Sequence, residues 1–247
     1  MMKDHLVAYF DLLGFSSVIK DENANRREKI FRLLSKLAES VGEYETQPAT
    51  IGSFKTFKTR PAISAFSDNI VFSFPLDDVN ISDFGWVVSY LVRQTAAIFS
   101  DAIKIGCLIR GGISVGPLHH KNNVIFGAAL VEAYELESKF AHTPRVLLSG
   151  SAASMAKGHY FVKNDEDGFF ALDYLLYTYS EMSNVYSEAE GLEMLDDWDA
   201  QRIQWKESIR EMCDKQIAEL RKAKNLAGVR NWYWLMNQLR HLPLPQA

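Results

Sequence analysis

The order of strand-type and helix-type apolar patterns along the chain constrains its fold more than any other feature of the sequence. His5 to Phe10 is apolar and rich in strand-forming residues. Asn25 to Val41 repeats apolar residues at helical spacing against a charged face, which predicts an amphipathic helix. The apolar block Ala62 to Phe74 is interrupted by the tripeptide SDN at 67–69. That interruption predicts two strands joined by a tight turn.

The alternation continues through the middle of the chain and completes one sheet. The order strand, helix, two strands, helix, two strands, helix, strand predicts an α+β fold, a ferredoxin-like palm with helices on one face of the sheet. The later elements are a helix over Ser82–Ala102, a strand over Ile105–Val115, a hairpin tip over Pro117–Asn123, its return strand over Val124–Phe126, a helix from Gly127 to about Phe140 and a strand over Arg145–Leu148.

The pattern changes after Tyr160. Apolar residues from Phe161 to Leu172 predict one more hairpin, with Lys163 to Gly168 as its polar turn. Trp198 to Ala223 and Val229 to Leu242 have amphipathic spacing and predict two C-terminal helices. We therefore expect a core domain over residues 1–182 and a helical extension over 183–247, packed on the core or against a second subunit.

Charge and cysteine content exclude several classes of protein. The 27 basic and 31 acidic residues give no broad positive surface for a polynucleotide, but a small phosphorylated ligand needs only a few donors. Cys107 and Cys213 are far apart, which argues against a disulfide framework or a structural zinc site. No window approaches the roughly 20 apolar residues that span a bilayer, so we expect a cytoplasmic protein with no membrane partner.

Two acidic residues stand at the ends of apolar strands. Asp11 follows the first predicted strand, and Asp68 lies in the turn of the predicted hairpin. A carboxylate beside an apolar strand is poorly hydrated and needs a partner or a metal ion, and hard oxygen ligands suit Mg²⁺ or Mn²⁺. Aspartate is also common in turns, where it caps backbone N–H groups. The residue types alone leave both interpretations open.

Four segments, taken in their order along the chain, favour metal binding over turn capping. They are YFDLLGFSS at Tyr9–Ser17, AFSDNIVFSF at Ala65–Phe74, IRGGISVGPL at Ile109–Leu118 and FGAALVEAYELE at Phe126–Glu137. Together they resemble the metal-binding segments, the Arg-x-Gly-Ile strand and the Gly-led helix of class III nucleotidyl cyclases. Ser67 departs from that pattern, since the family places a glycine before the second acid.

The resemblance implies a role for each matching position. Arg110 could instead form a partly buried ion pair, and Lys163 in its polar segment could simply be solvated. The implied roles are two Mg²⁺ or Mn²⁺ ions bound by Asp11, Asp68 and the backbone carbonyl of Leu12, β- and γ-phosphates wrapped by Gly14, Phe15 and Ser16, a triphosphate contact from Arg110, and a lysine, Lys163, donated across a homodimer.

The departures from the family pattern suggest the substrate. The positions that select purines are Ser64 and Val124 here, and the transition-state Asn and Arg align with Val131 and Glu135. This altered set resembles the pyrimidine cyclases of bacterial anti-phage Pycsar systems, which make cyclic UMP or cyclic CMP as a signal. Arg60 and Ser64 are candidates for binding the base, although Arg60 could equally be a surface charge.

The resemblance favours UTP over CTP, with in-line attack of the ribose 3′-oxygen on the α-phosphorus. Two alternatives stay open: a dinucleotide cyclase, which normally carries a GG(D/E)EF hairpin absent here, and a degenerate domain that senses nucleotide without turnover. His119 and His120 adjoin Lys121 in the predicted hairpin tip, and we expect them in a surface loop rather than at a metal.

Overall fold

A computed structural model describes residues 2–20, 27–35, 61–77, 79–121, 124–184 and 195–243. The candidate base-binding residue Arg60 lies outside these ranges, as do residues 25–26 and 36–41 of the first predicted helix. Residues 27–35 of that helix are helical, which confirms its central part.

Within the described residues, eight strands form one sheet in the order β2-β3-β1-β4-β6-β8-β7, with β5 paired to β4. The strands are β1 (Lys3–Leu13), β2 (Ala62–Phe66), β3 (Asn69–Pro75), β4 (Leu108–Lys121), β5 (Val124–Phe126), β6 (Val146–Leu148), β7 (Val162–Asn164) and β8 (Phe170–Leu172). The helices are α1 (Phe15–Lys20), α2 (27–35), α3 (Phe84–Ile103), α4 (Ala128–Glu135), α5 (Gly150–Met155), α6 (Tyr174–Asn184), α7 (Leu195–Lys222) and α8 (Leu226–His241).

The first four strands confirm the predicted α+β, ferredoxin-like architecture. They lie in the order β4-β1-β3-β2 and are antiparallel throughout, with α1 and α2 between β1 and β2 and with α3 between β3 and β4. This is the strand-helix-strand-strand-helix-strand arrangement expected from the sequence. The tight turn between β2 and β3 falls at residues 67–68, where the tripeptide predicted it.

Alternate residues of β1 face two different sets of neighbours. Leu6, Ala8 and Phe10 belong to the main core together with side chains of α3, whereas Val7 packs with Ala129 of α4 on the opposite face. Helices therefore cover both faces, which corrects the expectation of a single helical layer. We call the face that carries Val7 and α4 the α4 face.

Close packing of α4 on the sheet depends on Gly112 of β4. A Cβ on Gly112 would collide with the carbonyl oxygen of Ala133 and lie 2.7 Å from the Cβ of Leu136, whereas one on Gly116 would meet only Ala129, at 3.7 Å. The missing side chain at Gly112 lets the helix rest directly on the strand. Gly112 of the IRGGISVGPL segment thus has a packing reason as well as a family resemblance.

The structure corrects four local predictions. Strand β1 continues through Leu13, so Asp11 lies within the strand rather than after it. Strand β4 continues through Lys121, so His119 and His120 are paired with β5 rather than placed in a loop. Lys163 lies in β7 rather than in the following turn. The short helices α5 and α6 were not predicted. Helix α6 has three tyrosines in eleven residues and is stabilised by tertiary burial, with Tyr174 donating to the Pro144 carbonyl at 2.8 Å.

Helices α7 and α8 confirm the two predicted C-terminal helices. Cys213 and Ile217 of α7 and Leu235 of α8 are buried in the main core, and the Tyr179 hydroxyl donates to the Pro243 carbonyl at 2.8 Å. These helices therefore contact the core of their own chain, while the proposed boundary at residue 183 stays a prediction. No helix in the described part of the chain has the length and apolar character needed to cross a bilayer.

Candidate active site

Strand register brings the predicted site residues to one end of the sheet. Asp11 lies opposite Asn69 of β3 on one side and opposite Arg110 of β4 on the other. The backbone N–H of Leu12 donates to the carbonyl of Asp68 at 2.9 Å, which ties the β2–β3 turn to the end of β1. Asp11, Asp68 and Arg110 therefore share one region of the α4 face.

The turn that carries Asp68 is strained at its first residue. Ser67 has a φ of 58°, in the left-handed region that glycine adopts without steric cost. This segment resembles the second metal-binding segment of class III cyclases, which have a glycine at the position of Ser67. The two-residue connection between β2 and β3 requires this conformation and projects Asp68 beyond the strand ends.

A hydrogen-bonded chain orients the Asp68 carboxylate. Burial raises the pKa of Tyr9 to about 12, so its phenol stays protonated and donates to Asn69 Oδ1. That bond leaves the amide nitrogen of Asn69 facing Asp68 Oδ1, at 3.3 Å. The Tyr9 ring is held edge-on against Tyr134 of α4, with centroids 5.5 Å apart. Sequence reasoning missed Tyr9 and Asn69 because their role depends on cross-strand register.

Arg110 forms ion pairs with two acids. Its Nη2 lies 3.0 Å from Asp11 Oδ2 and 2.5 Å from Glu137 Oε1. The Glu137 side chain is only 4% exposed. Burial raises the pKa of Glu137, and the Arg110 charge opposes this rise. Burial also raises the pKa of Asp11, Asp68 adds to that rise, and Arg110 opposes it. The ion pair considered for Arg110 is thus present.

Glu137 is the acid that sequence reasoning did not single out. It lies in a π-helical turn, Leu136–Phe140, that continues α4. Such turns are rare and occur often at functional sites. Because Gly112 lets Leu136 approach β4, the turn brings Glu137 beneath Arg110. The sequence shows only a glutamate at the end of a largely apolar helical segment, and tertiary contact identifies both its burial and its partner.

The predicted phosphate loop joins β1 to α1. Gly14 has a φ of +94°, and a Cβ there would lie 3.3 Å from the Gly106 carbonyl oxygen, so the position favours glycine. Helix α1 begins at Phe15, and the Gly14 carbonyl accepts from the N–H groups of Ser17 and Val18. Ser16 and the Gly14 backbone are exposed. The first N–H groups of a helix have no partner within it and are free to face an anion.

The donor set fits hydrated divalent cations. If ionised, the carboxylates of Asp11, Asp68 and Glu137 outnumber the single guanidinium of Arg110, which leaves net negative charge. No cluster of three or more His, Cys, Asp or Glu that could hold a metal occurs among the described residues. Mg²⁺ nevertheless needs only one or two carboxylates because it keeps several waters. Asp11, Asp68 and the Leu12 carbonyl are compatible with that requirement.

The remaining predicted residues lie apart from this centre. Lys163 is on β7, four strand spacings or about 19 Å from β1. Its Nζ donates to Gln238 at 3.0 Å and lies 3.6 Å from Asp173. Ser64 lies on β2, where its hydroxyl is bonded to His120 at 2.9 Å. His120 is therefore a half-buried, hydrogen-bonded residue, contrary to the expected surface loop.

No protein-family model and no curated protein matches the chain. Among solved structures, it is similar to the guanylyl cyclase Cya2, with a TM-score of 0.45 and 16% identity over 70% of this chain and 91% of that one. It is also similar to the guanylyl cyclase domain of the RhoGC fusion protein from the aquatic fungus Blastocladiella emersonii, with a TM-score of 0.47 and 12% identity over 69% and 95%.

A class III adenylyl cyclase-like ATP-binding protein from Pseudomonas aeruginosa gives a TM-score of 0.43 and 16% identity over 70% of this chain and 39% of that one. At such identities the functional assignment depends on the residues of the site itself.

Proposed function

We propose that the protein is a nucleotidyl cyclase that converts a pyrimidine nucleoside triphosphate, preferentially UTP, into its 3′,5′-cyclic monophosphate and pyrophosphate. The observation that carries the proposal is the convergence of Asp11 and Asp68 at adjoining strand ends, next to Arg110. The exposed turn at Gly14 lies at the end of the same strand as Asp11. A paired acid centre beside an anion-binding loop suits phosphoryl transfer.

Asp11, Asp68 and the Leu12 carbonyl would hold two Mg²⁺ or Mn²⁺ ions. When bound, such ions lower the pKa of a ribose hydroxyl and neutralise phosphate charge. Asp11 must be ionised for this role, and the Arg110 charge favours its ionised form against the effect of burial. The Tyr9–Asn69 pair keeps one Asp68 oxygen occupied, and the other has no side-chain hydrogen bond to the part of the chain that the structure describes.

The polypeptide's own contribution is to bind and orient the triphosphate. N–H groups of Phe15 and Ser16 would face the β- and γ-phosphates, and Arg110 would contact the same anion from β4. The 3′-oxygen forms its bond to the α-phosphorus as the bond from that phosphorus to the bridging oxygen breaks. The hydroxyl proton passes to solvent, and pyrophosphate leaves with the electron pair. No protein nucleophile is needed.

The choice of a pyrimidine follows from the base-selecting positions. Ser64 and Val124 stand where purine cyclases have charged readers, and the short Ser64 side chain is already bonded to His120. CTP is the alternative substrate, giving cyclic CMP. By its resemblance to the Pycsar enzymes, the protein would serve anti-phage defence, with the cyclic nucleotide as the diffusible link to a separate effector.

A homodimer is part of this proposal. Phe66 is 83% exposed at the end of β2, and Val131 and Tyr134 are 58% and 50% exposed on α4. These apolar side chains flank the acid centre and would be covered by a second copy. In such a dimer Lys163 would come from the partner to the site, as the resemblance implies, which is compatible with its distance from Asp11 within one chain.

A nucleotide sensor without turnover is the second candidate, and one observation favours it. Arg110 already neutralises Asp11, so the guanidinium competes with a cation for that carboxylate. The sensor would bind a nucleoside triphosphate and release it unchanged.

One experiment separates these functions. The purified protein is incubated with Mn²⁺ and each of the four ribonucleoside triphosphates, and the products are identified by mass. The cyclase proposal predicts a cyclic pyrimidine monophosphate and pyrophosphate, predominantly from UTP. Linear or dinucleotide products alone would overturn it in favour of a different palm-fold transferase. Binding with no product would support the sensor.

A further inference from the structure

A chain of three polar side chains crosses the α4 face near the turn that carries Asp68. His120 Nε2 lies 2.9 Å from Ser64 Oγ, and His120 Nδ1 lies 2.8 Å from Ser73 Oγ. Ser73 is fully buried, whereas Ser64 and His120 are half-buried. Both ring nitrogens of His120 are thus used, and the chain runs from the interior towards the open surface at Ser64.

The bend of the β4–β5 hairpin creates this arrangement. His120 lies two residues beyond the last pairing of β4 with β1, yet it reaches strands β2 and β3 on the other side of β1. Ile125, its partner across the hairpin, packs on the Val7 and Val71 cluster. The hairpin therefore folds back over the α4 face and forms a wall beside Ser64.

The charge state of His120 and the burial of Ser73 favour one direction for the two hydrogen bonds. Burial, together with the nearby His5 and His119, lowers the pKa of His120 to about 4, so the ring is neutral at pH 7. A neutral imidazole has one donor and one acceptor nitrogen. The buried Ser73 hydroxyl has His120 Nδ1 as its one side-chain partner among the described residues. Since a buried donor left unpaired is costly, burial favours donation from the Ser73 hydroxyl to Nδ1 over the reverse direction.

The tautomer of His120 determines the direction of its hydrogen bond with Ser64. If Nδ1 accepts, then Nε2 carries the proton and donates to Ser64 Oγ. One lone pair of the Ser64 oxygen then accepts from His120, and the Ser64 O–H, which His120 no longer accepts, is left to donate to a group in front of it.

Ser64 is placed where a nucleotide's base would lie. It pairs with Val71, which pairs with Tyr9, two residues from Asp11 along β1. Two strand spacings sideways and two residues along separate Ser64 from Asp11 by about 12 Å. All four side chains are on the α4 face. A nucleotide with its phosphates at Asp11 and its base towards β2 would span that separation.

We propose that His120 is a positioning residue which, backed by Ser73, holds the Ser64 hydroxyl as a hydrogen-bond donor towards the 4-position of a pyrimidine base. The inference rests on the proposed function and deepens it. Uracil presents a carbonyl oxygen at that position and accepts the bond, whereas cytosine presents an amino group, which is a donor. The preference for UTP over CTP then follows from the tautomer of a residue that does not touch the base.

The first test reads the tautomer without any enzymatic activity. Long-range proton–nitrogen NMR spectra of the imidazoles, assigned with the His120→Gln variant, show which nitrogen of His120 carries the proton. We expect the proton on Nε2. A proton on Nδ1 would overturn the inference, because Ser64 would then donate to His120 and could only accept from the base.

The second test measures the ratio of kcat/KM for UTP to that for CTP. His120→Leu removes the donor, and we expect the ratio to fall roughly tenfold, as for one lost hydrogen bond. His120→Gln keeps an N–H at the ε position and should restore most of the ratio. Ser64→Ala, at a half-buried position, should lower the ratio to the same extent and serves if the leucine variant does not fold.

His119→Leu is the matched control. His119 is the neighbouring residue, but its ring stacks on Phe126, with centroids 5.1 Å apart, and we expect an unchanged ratio. A merely structural His120 would lower turnover of both nucleotides by the same factor and leave the ratio intact, which overturns the inference while the cyclase proposal stands.

If the wild-type protein turns over no nucleotide, the cyclase proposal fails separately. The same variants are then compared by calorimetric titration with UTP and CTP in the presence of Ca²⁺. A binding preference for UTP that disappears in Ser64→Ala supports the inference, and equal or absent binding of the two nucleotides refutes it.

Discussion

Asp11 and Arg110 face each other across the β1–β4 pair, with Arg110 Nη2 3.0 Å from Asp11 Oδ2. The same nitrogen contacts Glu137, 2.5 Å away, so one guanidinium is shared between two acids. A cation arriving at Asp11 would weaken the first pair and leave Arg110 anchored by the second. Arg110 would then no longer neutralise Asp11, and its guanidinium could bind a phosphate group instead.

Glu137→Gln tests this anchoring role. The substitution keeps the side-chain volume but removes the charge that holds Arg110, so we expect kcat/KM to fall about 10- to 100-fold, as for other groups that orient a site from behind. Steady-state assays of cyclic nucleotide formation measure the change. Glu135→Gln is the control, because Glu135 is on the exposed side of α4 and pairs with Lys139. Equal activity in both variants would show that Glu137 has only a packing role.

Gly112→Ala tests the contact between α4 and β4. A Cβ at this position would collide with the Ala133 carbonyl, so we expect the free energy of unfolding to fall by about 2–3 kcal/mol. Gly116→Ala, on the same strand with its nearest neighbour at 3.7 Å, should change it by less than about 1 kcal/mol. Urea denaturation compares the two. Similar losses in both variants would contradict the close approach of the helix.

The pH dependence of stability tests the burial of His120. Its pKa is lowered from 6.5 to about 4, so the unfolded chain binds a proton that the folded chain does not between these values. Stability from this group is present above pH 6.5 and is lost as pH falls towards 4. Allowing for partial exposure, we expect the wild type to lose about 1 kcal/mol more than His120→Gln between pH 7 and pH 5. Parallel losses in urea denaturation would mean that His120 is protonated in the folded state.

Local pattern was sufficient to predict most of the strands and to single out Asp11 and Asp68. A carboxylate beside an apolar run is poorly hydrated and therefore demands an explanation. Glu137 and His120 do not stand out in this way. Their roles depend on how far β4 extends and on how closely α4 approaches it, and long-range packing decides both.

Long-range packing also explains why helix α6 and the second helical layer were not predicted. The Tyr-rich segment from Tyr174 has no helical signal of its own, and burial of Tyr174 against α3 overrides its local preference. The apolar run His5 to Phe10 does not tell from the sequence which faces of the sheet are covered, and the close approach of α4 to Gly112 shows that a helix covers the second face.

Asp68→Asn, assayed with Mn²⁺ and UTP, tests the central claim most directly. Asparagine keeps the oxygen that accepts from Asn69, so we expect the free energy of unfolding to change by less than about 0.5 kcal/mol. Turnover should fall at least about 100-fold because half of the charge that holds the cations is lost. Asp77→Asn, a surface acid paired with Lys3 beyond the other end of β3, should keep full activity. An Asp68→Asn protein that cyclises UTP at the wild-type rate would contradict the assignment of Asp11 and Asp68 as the metal-binding pair.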